Sequence, residues 1–476
     1  MDILTTFEIL GATSTTGLAY LGAQSRGYGL RYWQIKDPEL RVSHRDAAFV
    51  RRTWPRLARN LKLALRDDVP TLAQSMMTSG NKQPQPRIRT PKLLRIRTDH
   101  YGIRAQFRPL PGIGLEEFQA KAQHLANEWG MTRVSAAQTN PRTIEIRAVR
   151  TDPLAEVRVL NRPARVPGDL RHVPIGIDDF GDVVNLGLES ATGVGIYGAP
   201  RWGKTSFILG LMTSLADRED VQMILADGKV STGFEGDYYD IGHRCLAVIG
   251  DSIDDFNALM KEVEKIRAMR QACIRQELGV PNFWMRGPST AWPLLFVVID
   301  EAHSFFRQLS PAASPAIKAQ NATAAENAWL LEQLVKLCGS VGIFFVVATQ
   351  KPTVDAIPSA IRANLTWRMC LGVREPSVAE AALGEQIKQY PDMNPMQFMR
   401  NEFRGCAVIA SEDRPGFTRF RNPFCSPELA AAVAHDTKHL VMPRSGRLPL
   451  TVGGAHLGTL PDSPAALLAP SDVDEN

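Results

Sequence analysis

Residues 198–205 read GAPRWGKT, an octet that fits G-x-x-x-x-G-K-[ST], the phosphate-cradling loop of nucleotide triphosphatases. In such a loop the backbone N–H groups and a helix dipole converge on phosphate oxygens. Lys204 is then expected to reach the β- and γ-phosphates, and the Thr205 hydroxyl to hold Mg²⁺. The candidate nucleotide site is therefore Gly198, Ala199, Pro200, Arg201, Trp202, Gly203, Lys204, Thr205 and Ser206, with ATP and Mg²⁺ as the cofactors. Arg201 and Trp202 are bulky for this loop, and their side chains are expected to point outward.

Two further stretches supply matching chemistry. Residues 294–303, LLFVVIDEAH, are an apolar run ending in Asp300–Glu301, about ninety-five positions after the phosphate loop. Asp300 is read as the carboxylate on the Mg²⁺ side and Glu301 as the base that polarises an attacking water. A carboxylate base beside the metal ligand argues for hydrolysis rather than transfer to a second substrate. Alone, an apolar strand ending in Asp is commonplace; the phosphate loop gives it meaning. Residues 343–352, IFFVVATQKP, end in Thr349–Gln350, placed to sense a γ-phosphate between the other two strand ends. His303 reads as the start of the next helix.

The elements that must position these groups follow from periodicity. Residues 194–197 read as a buried strand and 206–215 as a helix, the context in which a phosphate loop works. Across 160–425, apolar strands alternate with helices as a parallel α/β sheet demands, with strands over 194–197, 223–227, 246–248, 294–300, 342–348 and 367–372. Upstream, 93–97, 103–108, 134–137 and 143–149 read as strands, and 115–129 as a helix carrying Phe118, Ala122, Leu125 and Trp129 on one face. Residues 45–66 read as an amphipathic helix with Val50, Trp54, Leu57, Leu61 and Leu65 on one side and seven basic residues packed in. That composition suits an anionic membrane surface or nucleic acid, and equally an ordinary packing helix with a solvated basic face.

The chain has 476 residues, 44% of them apolar, which suffices for two or three domains with a sizeable core. A net charge of +5 excludes a polybasic protein overall, although Lys and Arg crowd the first 170 residues. Six cysteines without a C-x-x-C pair indicate free thiols in a reducing compartment. Residues 3–23 are mildly apolar but carry Glu8 and five Thr, short of the density a membrane span needs.

The ordered motifs resemble the motor domain of the FtsK/SpoIIIE/HerA class of DNA translocases. The resemblance rests on VPIGIDDFGDVVNLGL, GAPRWGKTS, LADGK, LGVPNFW, VVIDEAH, ATQKPTVDAIPSAIRANLTWRMCLGV and the Gly405-containing strand, and covers about 174–424. With the N-terminal part, the chain looks like TraB-type conjugative transfer proteins of actinomycete plasmids and integrative elements. The resemblance implies an α/β, RecA-like P-loop NTPase with Gly198, Gly203, Lys204 and Thr205 on nucleotide, Asp300 on Mg²⁺, Glu301 as base and Gln350 as sensor. It places at Arg368 an arginine that reaches a neighbouring subunit's nucleotide, with Arg362 and Arg374 as alternatives. It thereby implies a homo-hexameric ring. Asp227 and Lys229 match an Asp-Pro-Lys stretch of the family, with Gly228 in place of the Pro.

The expected domains are a basic helical region (1–85), a small β-β-α-β-β module (86–160), the motor (161–425), and a short helix with a flexible tail (426–476). The expected function is ATP-driven translocation of double-stranded DNA in conjugative transfer, in the cytoplasm or at the inner face of the membrane. That tail is too short and Pro/Gly-rich for the winged helix with which larger relatives read DNA, so a separate loading partner is expected. Two other functions fit the motifs: a ring ATPase for protein secretion, and a nucleotide-gated coupling or anchoring protein.

Overall fold

The computed structural model describes residues 31–67, 87–162, 170–189, 191–232, 235–310, 314–350, 356–411 and 414–441. The chain divides into two compact units, Met1–Pro153 and Leu154–Asn476. The stretch 3–23 and the tail beyond 441 lie outside the described residues. Among the described residues, no helix is long and apolar enough to cross a membrane.

In the first unit, helix α1 (Pro38–Asn60) begins earlier than its apolar periodicity indicates. Its start is set by Asp37, whose carboxylate accepts from the Glu39 N–H, and by Pro38 in the first turn. It also stops earlier, because Lys62 takes a left-handed conformation (φ 61°) and 65–67 turn into a strand paired with 87–89. Strands β1 (Lys92–Thr98), β2 (Gly102–Arg108), β3 (Arg133–Asn140) and β4 (Thr143–Val149) form an antiparallel sheet in the order β1-β2-β4-β3. The expected single helix is two, α2 (Leu115–Ala120) and α3 (Ala122–Trp129), broken at Lys121. Trp54 of α1 sits against Phe107, Phe118 and Trp129 and donates its indole N–H to the Pro91 carbonyl. The apolar stripe of α1 is thus consumed by this core, along with Val50, Leu57 and Ala58. A stripe so used is not available for insertion into a lipid surface.

The second unit is built on one ten-stranded sheet. Its strands are β5 (His172–Asp178), β6 (Val183–Gly187), β7 (Gly193–Tyr197), β8 (Val221–Asp227), β9 (Cys245–Ile249), β10 (Leu294–Asp300), β11 (Ile343–Thr349), β12 (Trp367–Leu371), β13 (Cys406–Ser411) and β14 (Arg414–Arg421). The order is β9-β8-β10-β11-β7-β12-β13-β14-β5-β6. The first six run parallel, as expected. The last four run antiparallel, so the sheet is mixed rather than purely parallel. The connections explain the difference. Between β5 and β6 there are only four residues, where the Asp178 carboxylate accepts from the N–H groups of Phe180 and Asp182, and so short a link cannot return the chain parallel.

Helices α4 (Lys204–Ala216), α5 (Ile253–Leu278), α6 (Pro315–Leu337), α7 (Ser359–Asn364), α8 (Pro376–Leu383) and α9 (Pro427–Thr437) connect or cover these strands. The central strands β8, β10 and β11 are buried along their full length, which is why 223–226, 294–299 and 343–348 read as apolar runs. All six cysteines are free thiols, five of them buried.

Candidate nucleotide site

The loop 198–203 leaves the C-terminal end of β7 and delivers Lys204 as the first residue of α4. It is held from its neighbours' backbones: Ala199 N–H donates to the Gly372 carbonyl at 2.9 Å, and Gly405 N–H to the Trp202 carbonyl at 3.2 Å. Gly203 has φ 103°, and a Cβ there would fall 3.2 Å from the Gly405 Cα. Any other residue would be strained and would push the chain off its neighbour. Arg201 is left-handed too (φ 68°) and exposed. Trp202 departs from the outward orientation expected of it. It is half-buried against the core of the unit, beside Gly372.

Strand order then does the assembly. Strand β11 lies between β7 and β10, so the ends of all three meet, as a sensor between phosphate loop and acidic pair requires. Lys204, only 5% exposed, places its ammonium 3.1 Å from Asp300 Oδ1 and 3.0 Å from Glu301 Oε2. Asp300 is fully buried and Glu301 nearly so. Glu301 takes a left-handed conformation (φ 54°), a position unusual for a residue with a side chain. There its Oε1 accepts from the Gln350 backbone N–H at 3.1 Å and the Thr349 hydroxyl at 3.3 Å, and lies 2.8 Å from His303 Nδ1. Burial alone would raise the Glu301 pKa. His303, Lys204 and the Gln350 N–H reverse this and hold the carboxyl well below its usual range, so it is ionised.

Three contributors were not singled out by motif reading, or were left without a role. Lys229, just past β8, reaches Asp300 Oδ2 at 2.5 Å, and the Tyr238 hydroxyl donates to the same oxygen at 3.0 Å. His303 touches the candidate base. Burial opposes ionisation of Asp300, but Lys204 and Lys229 outweigh it and hold its pKa down. Asp227, its direct partner across β8 and β10, behaves oppositely: burial and the neighbouring Asp300 charge push it up to about 6. Gly228 is also explained. Its N–H donates to the Asp300 carbonyl at 2.9 Å, which a proline could not do, and a Cβ there would fall 2.8 Å from the Glu301 carbonyl oxygen. The Lys229 contact was legible only as an unexplained Asp-x-Lys; Tyr238 carried no sequence signal, since a lone buried Tyr is ordinary core.

The donor set fits a nucleoside triphosphate with Mg²⁺: a glycine-shaped loop at the N-terminus of a thirteen-residue helix, one lysine, one hydroxyl at Thr205 and two ionised carboxylates. Of the arginines considered for a role in trans, Arg374 is exposed and Arg368 is half-buried beside Gly384. Arg362 donates to the Ala381 carbonyl at 2.8 Å.

No family model matches the chain. Curated DNA translocases FtsK are similar to it over somewhat less than half of the chain. That of Corynebacterium efficiens is 27% identical over 232 residues, covering 44% of this chain and 22% of the relative. That of Listeria monocytogenes is 24% identical over 231 residues, covering 45% and 28%. The chain thus spans less than a third of the length of these relatives. Among solved structures, the pCW3 conjugation coupling protein TcpA with ATPgS matches at a TM-score of 0.48 and 16% identity, covering 74% of this chain and 94% of that one. The cytoplasmic domain of the Type VII secretion ATPase EccC of Thermomonospora curvata matches at 0.42 and 18%, covering 60% and 33%. The resemblance to FtsK-class translocases read from the motifs is present in the aligned sequence of the curated relatives, and the second unit has by its own geometry the strand, phosphate loop and helix on parallel strands that the motifs call for.

Proposed function

We propose that this chain is an ATP-hydrolysing motor that assembles as a ring, a homo-hexamer by resemblance, and moves double-stranded DNA in conjugative transfer. The observation that carries the reading is the meeting of Lys204, Asp300, Glu301 and the Gln350 N–H at the ends of three adjacent strands. Gly198 to Ser206 would hold the phosphates, and Thr205 with Asp300 the Mg²⁺. When bound, Mg²⁺ neutralises charge on the phosphate oxygens.

The chain's own groups divide the remaining work. Lys204 offers its charge to the phosphates and is counterbalanced by the two carboxylates it already touches. Glu301 is ionised and fixed by three donors, so it is oriented to align and polarise a water rather than to move freely. Gln350 shares its backbone N–H with Glu301, which ties the sensor strand to the base. Grip on DNA would fall on phosphates, since a motor must ignore sequence.

The test is ATP hydrolysis by the purified chain with and without duplex DNA. The proposal expects duplex to stimulate hydrolysis, stimulation to fall steeply with salt, and both Lys204→Ala and Glu301→Gln to abolish turnover. Glu301→Gln should keep nucleotide binding, because the loop and Lys204 remain. Hydrolysis indifferent to DNA would overturn the cargo, and full activity of Glu301→Gln would overturn the assigned base.

A further inference from the structure

Among the described residues, the four-stranded sheet of the first unit carries its helices on one face. Ile103, Ala105 and Phe107 of β2 and Ile144, Ile146 and Ala148 of β4 face the helices and are buried with them. The alternate residues therefore face the other way. Register aligns these into rows across the sheet: Arg97 with Arg104 and Arg147, Arg95 with Gln106 and Glu145, and Lys92 with Arg108. Between residues 87 and 108 the sequence has seven Arg or Lys and one acid, Asp99.

The charges differ in how far they are spent. Arg147 is buried and paired with Asp99 at 3.0 Å, and Arg104 lies 3.6 Å from Glu145. Lys92, Arg95, Arg97 and Arg108 are exposed, and among the described residues no ion pair engages them. They cluster on β1, which among the described residues pairs with β2 alone, and on the β2 strand beside it.

We propose that this half of the open sheet face, Lys92, Arg95, Arg97 and Arg108, is a sequence-independent contact for the phosphate backbone of duplex DNA, separate from the motor. Charge complementarity is the first support. Geometry is the second: residues two apart on a strand are about 6.7 Å apart, comparable to the through-space separation of neighbouring phosphates along one DNA strand. The makeup of the face is the third. Four cations stand with a single exposed large apolar residue, Leu94, whereas surfaces that settle on lipid bury an apolar stripe. Arg and Lys without base-reading partners position a duplex and do not read it. The inference needs no nucleotide chemistry, so it stands or falls apart from the motor reading.

The experiment uses the full chain and a 30-base-pair duplex, without nucleotide, with affinity measured across a salt series. The variant Lys92→Gln/Arg95→Gln/Arg97→Gln/Arg108→Gln is compared with a control of equal charge change on the exposed side of α1, Arg45→Gln/Arg51→Gln/Arg52→Gln/Arg56→Gln. Each lost phosphate contact flattens the plot of log K against log salt by about 0.9. The sheet variant should flatten it by about 3 to 4, equally for two unrelated duplex sequences, and the helix control by far less. An unchanged slope would mean that the edge charges only keep β1 from pairing with other chains, and would overturn the proposal. Equal flattening by both variants would overturn the assigned face. Loss of binding to phosphatidylserine vesicles with the DNA slope intact would overturn it in favour of a lipid surface. Should the quadruple variant not fold, Arg95→Gln and Arg97→Gln singly should each lose about 0.9 of slope.

Discussion

At the scale of single residues, the site works by over-determination. Asp300 is a buried carboxylate whose two oxygens are engaged by Lys204, Lys229, the Tyr238 hydroxyl and the Glu301 N–H. A buried charge is tolerated only when paired and hydrogen-bonded, and removing one partner strands the rest. Tyr238→Phe isolates one such bond, because it removes only the hydroxyl. A hydrogen bond to a charged group is worth about 1.5–3 kcal/mol, so the urea midpoint of the second unit should fall accordingly. ATP turnover should drop with the KM for ATP little changed, since Tyr238 touches the acidic pair and not the phosphate loop. An unaltered midpoint and turnover would show that Asp300 is positioned without it. This bond was invisible in the sequence because nothing local links residue 238 to residue 300; β8, the Lys229 turn and a short helical turn bring them together. The Lys204, Asp300 and Glu301 grouping was legible, because the phosphate-loop pattern marks Lys204 and the end of an apolar run marks Asp300 and Glu301.

At the scale of elements, burial decided what could be read. Strand β10 shows its bounds in sequence because all seven of its residues are buried and the first six are apolar, with Asp300 ending the run. The antiparallel strands β5 and β6 alternate buried with exposed or half-buried residues and β14 is mixed in composition, so their pairing on the same sheet was not evident. Helix α1 shows the converse: its basic residues drew attention to a surface role, while its apolar stripe was already spoken for by the sheet beneath. Trp54 anchors that packing at 2% exposure. Trp54→Ala should cost about 3–5 kcal/mol through lost burial and the cavity left behind. Amide hydrogen exchange read strand by strand should then show protection of β1 to β4 lowered by about two orders of magnitude or more. Unchanged protection would mean that α1 only lies on a sheet that is stable without it.

At the scale of the whole molecule, assembly and cargo decide what hydrolysis accomplishes. The exposed or half-buried arginines of the 362–374 segment would serve a neighbouring subunit, and subunit mixing tests this. Arg368→Ala should abolish hydrolysis alone. Mixed with Lys204→Ala it should regain part of the activity, because some interfaces then join an intact loop to an intact arginine. Absence of rescue, with rescue by Arg374→Ala instead, would move the role to Arg374. Wild-type turnover of Arg368→Ala would remove it from the mechanism.

If hydrolysis drives movement along duplex DNA, the chain must displace a third strand from a triplex. With ATP, the full chain should displace the third strand from a site far from its loading point. The rate should fall with salt, and Lys204→Ala and Glu301→Gln should displace none. Brisk ATP hydrolysis with no displacement at any distance would contradict the claim and leave a nucleotide-gated coupling protein or a motor for another cargo.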